Sequence, residues 1–561
     1  MARLSMFGVF QVPRSALLDR ALKSRWLGVV LVILLLAVFA WELGTAVPFV
    51  IDDAYITFSF SKNLARGAGP VYGHGVKVEG YSNFLWMVMV AAPLRFWHQV
   101  DPIVLARIIA VPFAALLLTS TYLLARTSAR RGWSAGAALL LAMDVDVSLG
   151  FQSGLETVPY VALIVTGFLL YVRGVRSLPA RCGAIAMFTA AALMRIDGFI
   201  PLGFIVLFEA GSSWAGRRFS LFALLRWALP GVAVWLMWFA WRWRYYGLPL
   251  PSPYYAKALV SQELPYLGYE YVFTEVTSSG LFLGLFALGY LVWRRHRAAL
   301  ALGWFALLQL AYAIRVGGDW MPSARFVLPA APLLLVLCAW AAEKLLAAAR
   351  GTWVKFAAVG GLACGFVFIA MRLEPHVSNV GYVLYKIALA KKQVEHVSSL
   401  KRAASYLTLA IPPGARLVTD YGGVMAYYTQ AAPIEMWGLS NSVIATRGTA
   451  RGVYPAYGRT CPECYPELDP EYFHTVTPLI RPREAFSSHL EVVEAVWQSD
   501  TIGRYVDLGR GFISGRVVNL ASGDSVWFLE RFRAGSPPRS RTLFQGMAIE
   551  YPFLQNRYER K

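Results

Sequence analysis

Asp52 and Asp53 are adjacent carboxylates in the run Val50-Ile51-Asp52-Asp53-Ala54-Tyr55, directly after the first long apolar segment. A carboxylate costs about 2.5–3.5 kcal/mol at a bilayer centre and less at its edge, so an acid pair at a lipid boundary suits chemistry better than a helix-end solubility role. Neighbouring carboxylates also repel, which raises the pKa of one of them unless cations or a metal offset the charge. Further polar clusters recur along the chain: Lys62 with Arg66, Glu79 in Val78-Glu79-Gly80-Tyr81-Ser82-Asn83, and Glu156 in Ser153-Gly154-Leu155-Glu156-Thr157. They continue with Arg195 and Asp197, with Arg242 and Arg244 among aromatics, with Tyr255 and Lys257, and with Asp319 and Arg325. Each has a plainer explanation. Arg242 and Arg244 beside Trp and Tyr suit an interfacial anchor belt, Glu156 a helix start, Gly317-Gly318-Asp319 a turn, and the Lys62/Arg66 pair a solvated juxtamembrane helix.

The elements that must position these residues follow from composition. The 561-residue chain is 57% hydrophobic and 15% charged, with a mean hydropathy of +0.49. Soluble proteins carry about 25% charged residues, so this composition is that of an integral membrane protein. The net charge of +20 fits cytoplasmic loops facing anionic headgroups and needs no nucleic acid to explain it. Residues 1–26 hold Arg3, Arg14, Arg20, Lys23 and Arg25 and are expected in the cytoplasm. The run from Trp26 to Val50 is too long for a cleaved signal and reads as a retained anchor.

A twenty-residue requirement with the positive-inside rule places spans near 27–47, 103–124, 133–149, 155–172, 183–195, 198–209, 222–243, 279–293, 298–315, 326–346 and 353–372, about eleven in all. The apolar piece from Phe84 to Trp97 is read as a juxtamembrane or re-entrant helix of the first external loop, because only then do Arg126, Arg130 and Arg131 face the cytoplasm. Segments 183–195 and 198–209 are short and joined by Arg195-Ile196-Asp197-Gly198, which predicts two half-length helices lining a cavity. With this topology the clusters gather at the external face, as a polar-headgroup site above a lipid slot.

From about residue 374 the chain becomes more polar. Alternation in Arg416-Leu417-Val418-Thr419-Asp420 and Pro433-Ile434-Glu435-Met436-Trp437, around a helical Gly423–Thr429 stretch, predicts a small C-terminal α/β domain outside the membrane. Cys182, Cys338 and Cys364 lie in or beside apolar spans as packing residues. Cys461 and Cys464 form a local disulfide or a turn, and a zinc site would need a second ligand pair.

The motifs Asp52-Asp53-Ala54-Tyr55-Ile56-Thr57-Phe58, Glu79-Gly80-Tyr81-Ser82-Asn83-Phe84-Leu85-Trp86, Ser153-Gly154-Leu155-Glu156-Thr157, Arg195-Ile196-Asp197-Gly198, Tyr245-Tyr246-Gly247 with Tyr255-Ala256-Lys257, and Gly317-Gly318-Asp319-Trp320-Met321 with Arg325-Phe326 occur in that order. Together they resemble the bacterial GT-C glycosyltransferases related to the terminal arabinofuranosyltransferases of mycobacterial cell-wall arabinan. The resemblance covers roughly residues 26–345, and more weakly Asp420-Tyr421-Gly422-Gly423 and Met436-Trp437-Gly438-Leu439. It implies a GT-C-like transmembrane catalytic domain at 27–373 and a periplasmic domain at 374–561, in a bacterial inner membrane. The implied reaction is inverting transfer of arabinofuranose, or a related pentose or hexose, from a polyprenyl-phosphate donor to a hydroxyl of a cell-envelope glycan, lipid or protein. On this resemblance Asp52 is the general base, a role worth about 10²–10⁴ in rate. Asp53 orients it, or the two hold a divalent cation, Mg or Mn. Arg195, Lys257 and Arg325 stabilise the departing phosphate, with Tyr255 beside the donor. Glu79, Glu156, Asp197 and Asp319 bond sugar hydroxyls or orient those cations. The chain departs from the family pattern at Arg195-Ile196-Asp197 and at Pro251-Ser252-Pro253, both expected at the donor pocket.

Two other classes compete. A flippase or transporter for a lipid-linked sugar needs polar residues tracking across the membrane, and acids in the inner halves of the spans are confined to Glu209 and Glu343 near their ends. A non-catalytic assembly subunit would have no use for the paired aspartates.

Overall fold

The computed structural model describes residues 25–45, 48–174, 177–215, 220–257, 264–348, 380–450, 459–474, 481–482, 491, 512–531, 541–542 and 546–552. The protein is a multi-pass membrane protein. Among the described residues, five helices are long and apolar enough to cross a bilayer, seven when each of two bent pairs counts as one span. Ten of the predicted spans coincide with apolar helices or bent pairs; the segment 353–372 and Cys364 lie outside the described residues.

Helix boundaries follow local chemistry. Pro102–Ala125 begins on Asp101, whose carboxylate accepts the Ile103 N–H at 3.2 Å, and Pro102 fills the first helical position where no N–H is needed. The 26-residue helix Leu221–Tyr246 starts on Ser220 and stops at Gly247, where φ is +81°, a conformation that suits glycine.

The break at Arg195 differs from the expectation. The helices on either side, Leu178–Met194 and Phe199–Ala215, each have 17 residues, or about 25 Å, close to a full hydrocarbon crossing. They are not half-length. The sharp breaks fall elsewhere: Arg131–Ala142 bends by 50° into Val145–Gln152, and Pro265–Ser278 bends by 85° into Phe282–Trp293. Asp144 restarts the helix after the first break by accepting the Asp146 N–H at 2.8 Å. In the first loop, Phe84–Leu94 has 11 residues, about 16 Å and too short to span. Helix Asp52–Ala65 precedes it with both aspartates in its first turn, where the helix dipole favours negative charge.

The tail begins with the 31-residue helix Val380–Ala410, which the sequence reading did not separate from the α/β domain. The strand–helix–strand unit it did predict is present as β1 (Arg416–Thr419), helix Gly422–Tyr428 and β2 (Ala432–Glu435). Strands β3 (Thr449–Ala450) and β4 (Arg459–Thr460) make a separate ribbon. The main sheet adds β5 (Tyr472–His474), β6 (Arg481–Pro482), β7 (Phe512–Asn519), β8 (Asp524–Arg531), β9 (Arg541–Thr542) and β10 (Met547–Glu550). Its order is β2-β1-β5-β8-β7-β10-β9, with β6 also on β8. β1 pairs parallel with β2 and β5, and the remaining pairs are antiparallel. Cys461 and Cys464 form a disulfide with their Cα atoms 5.3 Å apart.

The tail is bound to the membrane part by buried ions and backbone contacts. Lys386 of the long helix, almost fully buried, meets Asp146 and Glu275 at 2.7 Å each, one acid from each bent pair. Lys401 pairs with Asp101. Helix Gly422–Tyr428 lies on helix Asp52–Ala65 so closely that a Cβ at Gly423 would sit 1.9 Å from the Asp52 carbonyl oxygen. Lys62 reaches the Tyr427 carbonyl at 2.5 Å and its ring at 4.7 Å, so this lysine docks the tail rather than solvating a helix.

Candidate active site

Two cavities meet at Asp53. The lower one, about 380 Å³, lies among the membrane helices and includes Asp53, Arg195, Asp197, Lys257, Asp319 and Arg325 in its lining. The upper one, about 620 Å³, lies between the first loop and the tail. Asp53, Ile56, Lys257 and Leu439 line both.

The lower chamber is built from matched charges. Arg195 sits at the helix break with extended backbone, φ −144° and ψ 149°. Its guanidinium makes a two-point contact with Asp197 at 2.8 and 3.1 Å and reaches Glu156 at 3.3 Å. The Tyr160 and Phe326 rings flank it, each 5.2 Å away. Glu156 is held in turn by the Asn83 amide at 2.6 Å, and Asn83 by the Thr57 hydroxyl at 3.1 Å, so the break is tied to the first loop. Arg325 chelates Asp319 through Nε at 2.5 Å and Nη2 at 3.3 Å. Gly317 and Gly318, at φ +83° and +74°, form the turn that presents Asp319. Buried ions need such partners, since an unpaired charge in apolar surroundings costs several kcal/mol. Lys257 makes no ion pair among the described residues. Phe199 and Tyr254 line the same chamber and are exposed.

The two aspartates have different surroundings. Both Asp52 oxygens are occupied: Oδ2 accepts the Gly423 N–H at 3.0 Å and Oδ1 the Val424 N–H at 2.7 Å. The carboxylate thus sits on the opening turn of the tail helix. Burial, with the Asp53 charge adding to it, pushes its pKa up to about 7 against the opposing pull of those N–H groups. Asp53 has no hydrogen bond or ion pair among the described residues and faces both chambers.

The other predicted residues are distributed unevenly. Glu79 lines neither chamber; it forms a buried two-point ion pair with Arg242. Arg242 is fully buried and is therefore no interfacial anchor, a role left to its exposed neighbours Trp241 and Trp243. Glu156 stands behind Arg195, and Tyr255 packs edge-on against Tyr254 at 5.8 Å, outside the lining. No group of three or more His, Cys, Asp and Glu side chains is arranged to hold a metal ion among the described residues. Glu435, Asp420 and His396 also line the upper chamber, and sequence alone assigns them no role. Asp420 stood in a quoted motif, which was the signal available. Glu435 accepts the Trp437 and Ser440 N–H groups at 2.9 and 3.1 Å, and burial still pushes it up to about 7.

The fold of this polytopic protein is similar to that of two solved membrane proteins. The chain superposes on ArnT from Cupriavidus metallidurans bound to undecaprenyl phosphate with a TM-score of 0.53, at 13% identity over 92% of this chain and 99% of that one. On AglB, the oligosaccharyltransferase of Archaeoglobus fulgidus in complex with an inhibitory peptide and a dolichol-phosphate, the TM-score is 0.50 at 12% identity over 92% of this chain and 75% of that one. At these identities the likeness is one of fold. In sequence the chain is similar to the terminal β-(1→2)-arabinofuranosyltransferase of Mycobacterium tuberculosis, 27% identical over 252 residues. That match covers 42% of this chain and spans 38% of the relative's length. No protein-family model matches the chain.

Proposed function

We propose that this protein is an inverting glycosyltransferase that takes a sugar from a polyprenyl-phosphate donor and adds it to a hydroxyl at the periplasmic face of a bacterial inner membrane. The membrane part at 27–373 holds the donor, and the part at 374–561 closes over it. The observation that carries this reading is the pair of side chains left uncommitted where the chambers meet, Asp53 and Lys257. One can take a proton and the other can receive a phosphate.

Asp53 accepts the proton of the acceptor hydroxyl, whose oxygen attacks the anomeric carbon. The bond from that carbon to the phosphate oxygen breaks, and the phosphate keeps the electron pair. Lys257 meets the developing charge directly, while Arg195 and Arg325 contribute from within their ion pairs; such preorganised positive charge acts where the transition state gains negative charge. A single displacement inverts the anomeric centre. The exposed Phe199 and Tyr254 at the chamber wall suit passage of the lipid tail from the bilayer. Asp52 acts as the anchor of the tail helix, the reverse of the division first expected for the pair. The partial similarity to an arabinofuranosyltransferase favours a pentofuranose as the sugar.

The test is product formation by purified protein with a panel of radiolabelled polyprenyl-phosphate sugars. Label passing from one donor to an acceptor or to water, and lost in Asp53→Asn, supports the reading and names the sugar. Tight binding of every donor with no turnover would move the assignment to a lipid-sugar transporter or an assembly subunit.

A further inference from the structure

Asn83 stands just before helix Phe84–Leu94 and departs from what that place asks of it. An asparagine there ordinarily accepts an N–H of the helix's first turn, yet the Asn83 side chain makes no such bond. It lies between two other buried side chains, Thr57 and Glu156. Its Oδ1 accepts the Thr57 hydroxyl at 3.1 Å, and its Nδ2 donates to Glu156 Oε2 at 2.6 Å. An ionised carboxylate only accepts, so the amide nitrogen must face Glu156 and the amide oxygen the hydroxyl. A local cap is replaced by a bridge between residues 26 and 73 positions away.

The bridge holds a guanidinium at its far end. The other Glu156 oxygen, Oε1, accepts Arg195 Nη1 at 3.3 Å. Asp197 grips the same guanidinium at two points, but it stands two residues along the same break and moves with it. Glu156 refers Arg195 to a separate element. The Ile196 N–H donates to the Ser82 carbonyl at 2.8 Å, so Ser82 fixes the backbone of the break while Asn83 fixes its charged end. Thr57, at the near end, follows Asp53 by four residues on helix Asp52–Ala65, which places the two on one face. Thr57, Asn83 and Arg195 line the lower chamber together with Asp53. A line of hydrogen bonds thus runs from the helix of the base to the guanidinium.

We propose that Asn83 is a positioning residue: through Glu156 it sets the place of the Arg195 guanidinium relative to Asp53, so that base and positive charge meet one donor. This rests on the transferase reading for the reaction it serves. The role separates Asn from Asp at this position. As helix caps the two are equivalent, whereas in this bridge a carboxylate would face the Glu156 carboxylate and make no bond to it. Exchanging the groups, Asn83→Asp together with Glu156→Gln, restores donor and acceptor at unchanged total charge. The exchanged amide then donates to the exchanged carboxylate, and its oxygen accepts Arg195 Nη1.

The experiment measures undecaprenyl phosphate binding and initial transfer rates from the active polyprenyl-phosphate sugar, on the full-length protein in detergent. Rates are expressed per lipid-binding site, so loss of folded protein does not enter. The Trp86 indole still donates to the Gly154 carbonyl at 3.0 Å, which keeps the turn before Glu156 in place when the Asn83 bond is cut. Misplacement of a reacting group by about 1 Å costs up to about 10² in rate, and Asn83→Asp is expected to lower kcat by about 30-fold. Lipid-phosphate affinity falls less, by about threefold, because the charge on the phosphate grows in the transition state. The double variant recovers most of the kcat that Asn83→Asp and Glu156→Gln each lose. Thr57→Val, which keeps the side-chain shape and removes the hydroxyl, lowers kcat by about threefold. Wild-type kcat in Asn83→Asp, or a double variant no better than the worse single one, overturns the proposal and leaves the transferase reading intact. A wild type that turns over no donor removes the transferase reading. The positioning of Arg195 then stands if Asn83→Asp weakens undecaprenyl phosphate binding and the double variant restores it, and falls if binding is unchanged.

Discussion

The two chambers neutralise buried charge by different means. In the lower one, whole ions face whole ions: Arg195 between Asp197 and Glu156, Arg325 on Asp319. In the upper one, the acids Asp52 and Glu435 are held by backbone N–H groups. Full ion pairs fix the charge state, because separating the partners in an apolar medium is costly. Backbone dipoles compensate only partly, so burial wins and both acids are pushed up to about 7. The paired charges of the lower chamber are therefore fixed, whereas Asp52 and Glu435 of the upper chamber are titratable. Asp53 and Lys257 are the groups both share and neither neutralises.

The comparison breaks most directly at the aspartate pair. Asp53→Asn is expected to lower transfer by about 10²–10⁴, the worth of a positioned base. Asp52→Asn removes one of two backbone contacts and keeps the base, so its initial rate stays within about tenfold of wild type. Initial rates with the active donor decide this, and a dead Asp52→Asn beside an active Asp53→Asn would reverse the two roles.

Next in size is the clamp joining the two regions. Lys386→Ala removes the buried ammonium that Asp146 and Glu275 share and should destabilise the protein by about 3–5 kcal/mol. Thermal unfolding with limited proteolysis of the tail measures it. Adding Glu275→Gln should recover part of the loss, and a Lys386→Ala protein as stable as wild type would show that the clamp contributes nothing. A smaller effect is expected at Lys257. If Lys257 meets the leaving phosphate as proposed, Lys257→Ala should reduce kcat by about 10², while Lys257→Arg retains more activity. If Lys257→Ala changes only KM, the lysine binds the donor and does not stabilise its departure.

The apolar spans were legible because twenty-residue hydrophobic runs carry their own signal, and Arg195, Asp319 and Arg325 because charge inside such runs is costly. Glu79 and Arg242 show the limit: they are 163 positions apart, and neither announces the other in sequence. Glu79 was placed at the donor and Arg242 at the lipid interface because each was judged by its neighbours along the chain. The Asp52 contacts are illegible in sequence for the same reason, since its partners are backbone atoms more than 370 positions away. The long tail helix was readable in principle. Val397, Leu400, Ala404 and Leu407 are buried at helical spacing, a pattern overlooked beside the stronger strand alternation that follows it.

The smallest expected effect is in pH dependence, and it separates the chambers without any substrate. Asp52 and Glu435 keep their protons to about pH 7 in the folded protein, against ordinary values of 3.8 and 4.5. Between those limits the folded state binds more protons than the unfolded one, so stability is greatest below the ordinary values and falls as pH rises to about 7. From about pH 6 to 8 the loss is about 1 kcal/mol for each group. Asp52→Asn and Glu435→Gln should each flatten this slope in thermal unfolding scans, whereas Asp319→Asn, which breaks a fixed ion pair, should lower stability across this range with the slope unchanged. A slope that survives both upper-chamber substitutions would mean that Asp52 and Glu435 are ionised in the folded protein, and the distinction between a fixed and a titratable chamber would be lost.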